Sequence, residues 1–87
     1  MTREELCSCA DLCVQLNVGC EVWLCTLVTE GTARLTDFRP TNEDPYKSAP
    51  LFPLMIDERL LSALRRDGRG RLIARADWLV LNELEVA

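Results

Sequence analysis

Five cysteines stand within the first 25 residues, at Cys7, Cys9, Cys13, Cys20 and Cys25, and the chain has no histidine. Grouped thiols can hold a metal, form a redox pair or attack as nucleophiles. A structural zinc ion needs four ligands gathered in a tetrahedron. The run C-x-C-x₃-C-x₆-C-x₄-C does not gather them on regular elements. On a helix, Cys9 and Cys13 share a face while Cys7 lies about 160° away. Cys20 and Cys25 point to opposite faces of a strand. A nucleophilic cysteine needs a base or cation to form thiolate, and the usual histidine partner is missing. Packing as small hydrophobes is the expected role of these thiols, and a metal or redox sensor is the remote alternative.

No other catalytic pattern emerges. A Ser-His-Asp arrangement is excluded with histidine. Glu43-Asp44 and Asp57-Glu58 read as a polar loop and a helix start, without the apolar surroundings that raise a carboxyl pKa. Gly68-Arg69-Gly70 lacks the Lys-Ser/Thr of a phosphate loop and precedes a strand. The expectation is a protein that is not an enzyme and needs no cofactor or metal.

The second chemical feature is a stripe of arginine. Arg59, Arg65, Arg66, Arg69, Arg71 and Arg75 share the stretch 59–75 with one acid, Asp67, giving a local charge of +5. Four bases and thirteen acids elsewhere give −9, hence −4 for the 87-residue chain. The planar guanidinium fork suits carboxylates and phosphates. Arg65, Arg66, Arg69, Arg71 and Arg75 are therefore the leading binding candidates, with Glu43, Asp44 and Tyr46 of the proline-rich loop beside them. Glu43, Asp44, Glu83 and Glu85 could alternatively imitate phosphates toward a basic groove. The acidic bulk, the single lysine and only five aromatics weigh against nucleic acid.

Those residues must be positioned by a small fold. The chain has the size of one domain, residues 1–87. Thr2-Arg3-Glu4-Glu5 fits a capping box rather than a basic leader, and predicts a helix from about Arg3 to Asn17, closed by Gly19. Cys20–Val28 predicts a strand, with Trp23, Cys25 and Leu27 on one face and Cys20, Val22, Leu24 and Val28 on the other. Glu30-Gly31 predicts a turn into a second strand, Ala33–Phe38, with Arg34 and Thr36 toward water. Pro40, Pro45, Pro50 and Pro53 mark a loop. Asp57 caps a helix expected to run through Arg66, with Leu60, Leu61 and Leu64 inward. From Arg71 the pattern alternates, as one long strand or a bent pair.

The expected fold is α+β: two helices on a small, mainly antiparallel sheet of three or four strands, in the order α-β-β-loop-α-β(-β). Apolar residues on both faces of the strands imply a curled sheet or a covered second face, the latter suggesting a homodimer. No stretch is apolar enough to span a membrane, and the odd cysteine count points to the cytoplasm. The leading functional expectation is a small acidic protein-interaction module, an accessory or inhibitor of the type that phages and mobile elements direct at host defence, blocking a partner's surface. The alternative is a nucleic-acid-binding regulator using the arginine stripe.

Overall fold

The computed structural model describes residues 1–9, 12–41 and 52–79. The Thr2 cap opens a helix as expected, with Thr2 Oγ1 accepting from the Glu5 amide at 3.1 Å. This helix, α1, spans only Arg3–Cys7 and buries Leu6. The stretch from Cys13 to Asn17, expected to continue it, instead lies in strand β1, Cys13–Val18. Along that stretch Val14 and Leu16 are buried while Cys13 is exposed and Gln15 and Asn17 are half-buried, the period-two pattern of a strand. Gly19, expected to end a helix, takes φ +60° in the turn between β1 and β2.

Strand β2, Glu21–Val28, and strand β3, Arg34–Pro40, complete an antiparallel set with β1. Here the expected faces hold, except that Cys20 lies in the turn before the strand. Trp23, Cys25 and Leu27 are buried, and Val22, Leu24 and Val28 are half-exposed on the opposite side. Gly31, φ +76°, makes the expected turn. Strand β4, Leu54–Met55, pairs with β3.

Asp57 caps helix α2, Glu58–Ala63, its Oδ1 accepting from the Leu60 amide at 2.9 Å. Asp57→Ala should cost about 1 kcal/mol of unfolding free energy, measurable by urea titration. The helix stops three residues short of its expected end. Leu64–Arg66 leaves it as strand β5 and forms a hairpin with β6, Leu72–Arg75. Leu64 stays inward, as expected, but from a strand paired with Ala74. Arg65 and Arg66 therefore stand on an edge strand and not in a helix's last turn. Gly68 lies in the turn between the two strands, and Gly70 takes the positive φ, +80°.

β6 lies parallel to β1, pairing Val14 with Leu72 and Leu16 with Ala74. The sheet is thus mixed and six-stranded, in the order β4-β3-β2-β1-β6-β5, rather than three- or four-stranded. It curls into a half-barrel carrying both helices. Two hydrogen-bonding strands, β1 and β5, were hidden in the stretches read as helix. The concave core is apolar, built on Leu6, Leu16, Trp23, Leu27, Leu35, Leu64 and Leu72, with no buried polar residue among the described ones. No helix of the described residues is long and apolar enough to cross a membrane.

Candidate functional site

The face of the sheet opposite this core collects side chains from all six strands, five of them in one row. Register places Arg39 opposite Leu24, Leu24 opposite Gln15, Gln15 opposite Ile73 and Ile73 opposite Arg65. The result is one cross-strand ladder, Arg39–Leu24–Gln15–Ile73–Arg65, with an arginine at each end and apolar residues flanking a central amide. Adjacent strands lie about 4.8 Å apart, so the ladder extends roughly 19 Å along the sheet.

Neighbouring rows follow the same plan. Arg75 pairs with Asn17, which faces Val22. Arg34 stands between Val28 and Met55. Thr36 and Thr26 face each other, with Cys13 beyond. The Gln15 amide donates to Asn17 Oδ1 at 3.1 Å, leaving a half-apolar, half-amide surface between the arginines. Arg34 and Arg39 make no hydrogen bond or ion pair with any described residue. Arg75 meets Asp77 at 3.6 Å, both largely exposed, a contact that water screens. Arg65 folds back on the carbonyls of Ser62 and Leu64, at 2.6 and 2.8 Å.

The stripe read from the sequence is therefore divided. Arg65 and Arg75 lie on this face. Arg66 turns to the helix side, donating to Gly70 O at 2.8 Å and to Cys9 Sγ at 3.1 Å. Arg59 lies 4.2 Å from the Trp78 ring centroid, a cation–π contact. Arg69 and Arg71 belong to the hairpin turn, organised by Asp67. One Asp67 oxygen accepts from both their amides at 2.8 Å, and the other from Arg71 Nε at 3.1 Å. Arg34 and Arg39 were not singled out, because only strand register brings β3 to the same face as β5 and β6. Glu43, Asp44 and Tyr46 lie outside the described residues, as do Glu83 and Glu85.

The hydrogen bonds from Arg71 and Arg69, with the Arg71 charge, hold the Asp67 carboxyl below its ordinary value of 3.8. A depressed carboxyl stabilises the fold above its unfolded pKa and loses that contribution as pH falls through the folded one. Asp67→Asn should lower the melting temperature at neutral pH. The gap to wild type should close in acid below pH 3.8, which a series of thermal melts would show.

The cysteines divide as well. Cys7, Cys13 and Cys20 are exposed, Cys9 is half-buried, and only Cys25 is in the core. Cys9 packs against the edge of the core, and the expectation of a shared core role is corrected for the three exposed thiols: β1 turns Cys13 outward, Cys20 sits in a hairpin turn, and α1 is too short to cover Cys7. Among the described residues no three Cys, Asp or Glu side chains converge as metal ligands would. Burial, with a smaller contribution from Cys13, pushes the Cys25 thiol up from 9.0 to about 12. An unfolded chain ionises this thiol first, so stability should decline between pH 9 and 12. Disulfide-exchange titration should find Cys7, Cys13 and Cys20 reactive in the native protein and Cys25 reactive only in denaturant.

At the β3 end of the ladder lies a cleft of 290 Å³, lined by Cys13, Leu24, Cys25, Thr26, Asp37 and Arg39. It opens where the β2–β3 register shifts between Leu24 and Thr26, a bulge in β3. Asp37 occupies this bulge at φ +54°, a left-handed conformation costing an L-residue about 1–2 kcal/mol. Glycine is the usual occupant of such a bulge position.

Compared with protein-family models, with curated proteins and with solved structures, the chain finds no match.

Proposed function

We propose that this protein is a binding module acting by contact, and that the outer sheet face meets a carboxylate-bearing surface of another protein, masking it as an accessory or inhibitor subunit would. The observation carrying this reading is the ladder Arg39–Leu24–Gln15–Ile73–Arg65. A protein interface combines an apolar centre with arginine, the charged residue most enriched at interfaces. Leu24, Ile73, Val22 and Val28 supply the former; Arg34, Arg39, Arg65 and Arg75 supply the latter.

A nucleic-acid ligand is the second reading, supported by the same guanidinium groups. It fits less well. Sheets that bind single strands stack bases on aromatic side chains, whereas the described outward positions of these strands hold none, Trp23 and Phe38 being turned into the core. A second copy of the chain is a partner of the right chemistry, because the helix layer exposes Glu4, Glu5, Asp57 and Glu58.

The experiment is affinity capture from the source cell, with wild type beside the Arg34→Glu, Arg65→Glu, Arg75→Glu triple variant. A protein partner held by wild type and lost by the variant supports the reading. Equal capture by both would refute it, and a mobility shift of a labelled oligonucleotide at low salt would favour the second.

A further inference from the structure

We infer that the cleft at the β3 bulge seats a single acidic residue of the protein partner, its carboxylate paired with Arg39 and its backbone N–H donated to Asp37. This rests on the preceding reading of the outer face and adds to it the residue that anchors the partner. The cleft's 290 Å³ lies at the lower edge of ligand-sized pockets, enough for one inserted side chain. Interfaces concentrate their energy in a few pockets that a partner's side chain fills, where a charged pair is shielded from water.

The cleft offers an acceptor and a donor together. Arg39 is exposed and has no partner among the described residues, so its two-point fork remains open to a carboxylate. Asp37, two residues away, forbids a ligand that is anionic throughout. A phosphodiester strand would bring a second charge against that carboxylate, whereas an acidic residue brings one carboxylate and, from its own backbone, an N–H donor. Leu24 and Thr26, on the β2 side of the cleft, add an apolar contact and a hydroxyl. The bulge also explains Asp37's left-handed backbone: bulges re-aim side chains next to functional sites, and such strain persists where the surroundings hold it.

The probe is the blocked peptide acetyl-Gly-Glu-Gly-amide, titrated into the ¹⁵N-labelled protein beside its Gln counterpart and an oligothymidylate. The Glu peptide should move the amide signals of Leu24, Thr26, Asp37 and Arg39. Glu→Gln in the peptide, or Arg39→Gln in the protein, should each weaken binding about tenfold or more, as loss of a charge-assisted pair does. Arg69→Gln, in the hairpin turn away from this face, should leave it nearly unchanged.

Equal shifts from the two peptides, no shift from either, or an unaffected Arg39→Gln variant would overturn the assignment. So would stronger binding of the oligothymidylate. The captured partner separates the two levels. Capture lost with the Arg34, Arg65, Arg75 reversals but kept by Arg39→Gln leaves the face and removes the cleft. Capture indifferent to both removes both.

Discussion

Trp23→Ala should strip the protein of a large part of its stability. Trp23 is fully buried on β2, opposite Leu16 on one side and Pro40 on the other. Its indole N–H donates to Glu21 Oε2 at 3.0 Å. Truncating a buried tryptophan costs about 3–5 kcal/mol, part of it from the cavity left behind. A domain of this size has a total stability of only about 4–13 kcal/mol at typical values per residue. The loss therefore takes most of the margin at the lower end of that range. Trp23→Phe keeps most of the apolar contact and gives up the hydrogen bond, at about 1 kcal/mol for that bond. Circular dichroism during urea unfolding would measure both. A Trp23→Ala variant melting within a few degrees of wild type would show that the half-barrel is held by other contacts.

The second large effect is on binding. Reversing Arg34, Arg65 and Arg75 to glutamate should lower affinity for an acidic protein partner by about a thousandfold or more. Losing one partner of a buried, hydrogen-bonded charge pair costs about 2–5 kcal/mol, and like charges brought together add to it. The fold should survive. Arg34 has no described partner, Arg75 shares only a screened contact with Asp77, and Arg65 bonds the Ser62 carbonyl at the end of α2 and the Leu64 carbonyl on its own strand, both at the surface. Affinity falling while the melting temperature holds would separate a role in recognition from a role in folding. Isothermal titration against the captured partner, paired with thermal melts, supplies both readings.

The sequence reveals local features more readily than distant ones. Thr2 and Asp57 cap their helices because side-chain oxygen and amide lie three residues apart. The faces of β2 are legible because Trp23, Cys25 and Leu27 alternate without interruption. β1 is not legible. Leu6, Cys9, Leu12, Cys13 and Leu16 close a helical arc, while Val14, Leu16 and Val18 alternate equally well. Two periods fit the same residues, and pairing with β2 and with the distant β6 decides between them. Leu64 presents the same ambiguity, since it points inward from either a helix or a strand until Ala74 is seen opposite it. These two misreadings concealed two strands, and with them the register that builds the outer face.

The arginines follow the same logic. Nearness in sequence joined Arg65, Arg66, Arg69, Arg71 and Arg75 into a stripe. The fold sends Arg66 to Cys9 and ties Arg71 to Asp67. It then adds Arg34 and Arg39 from β3. Charge pattern alone could find half of this face; the other half needs knowledge of which strands are neighbours.

The most direct test of the outer face is an arginine footprint. The protein, free and bound to its captured partner, would be modified with a dicarbonyl reagent and the modified sites read by mass spectrometry. Binding through the outer face should protect Arg34, Arg39 and Arg75 and leave Arg3 and Arg69 as reactive as in the free protein. Protection confined to Arg3 and Arg69, with Arg34, Arg39 and Arg75 unchanged, would contradict it.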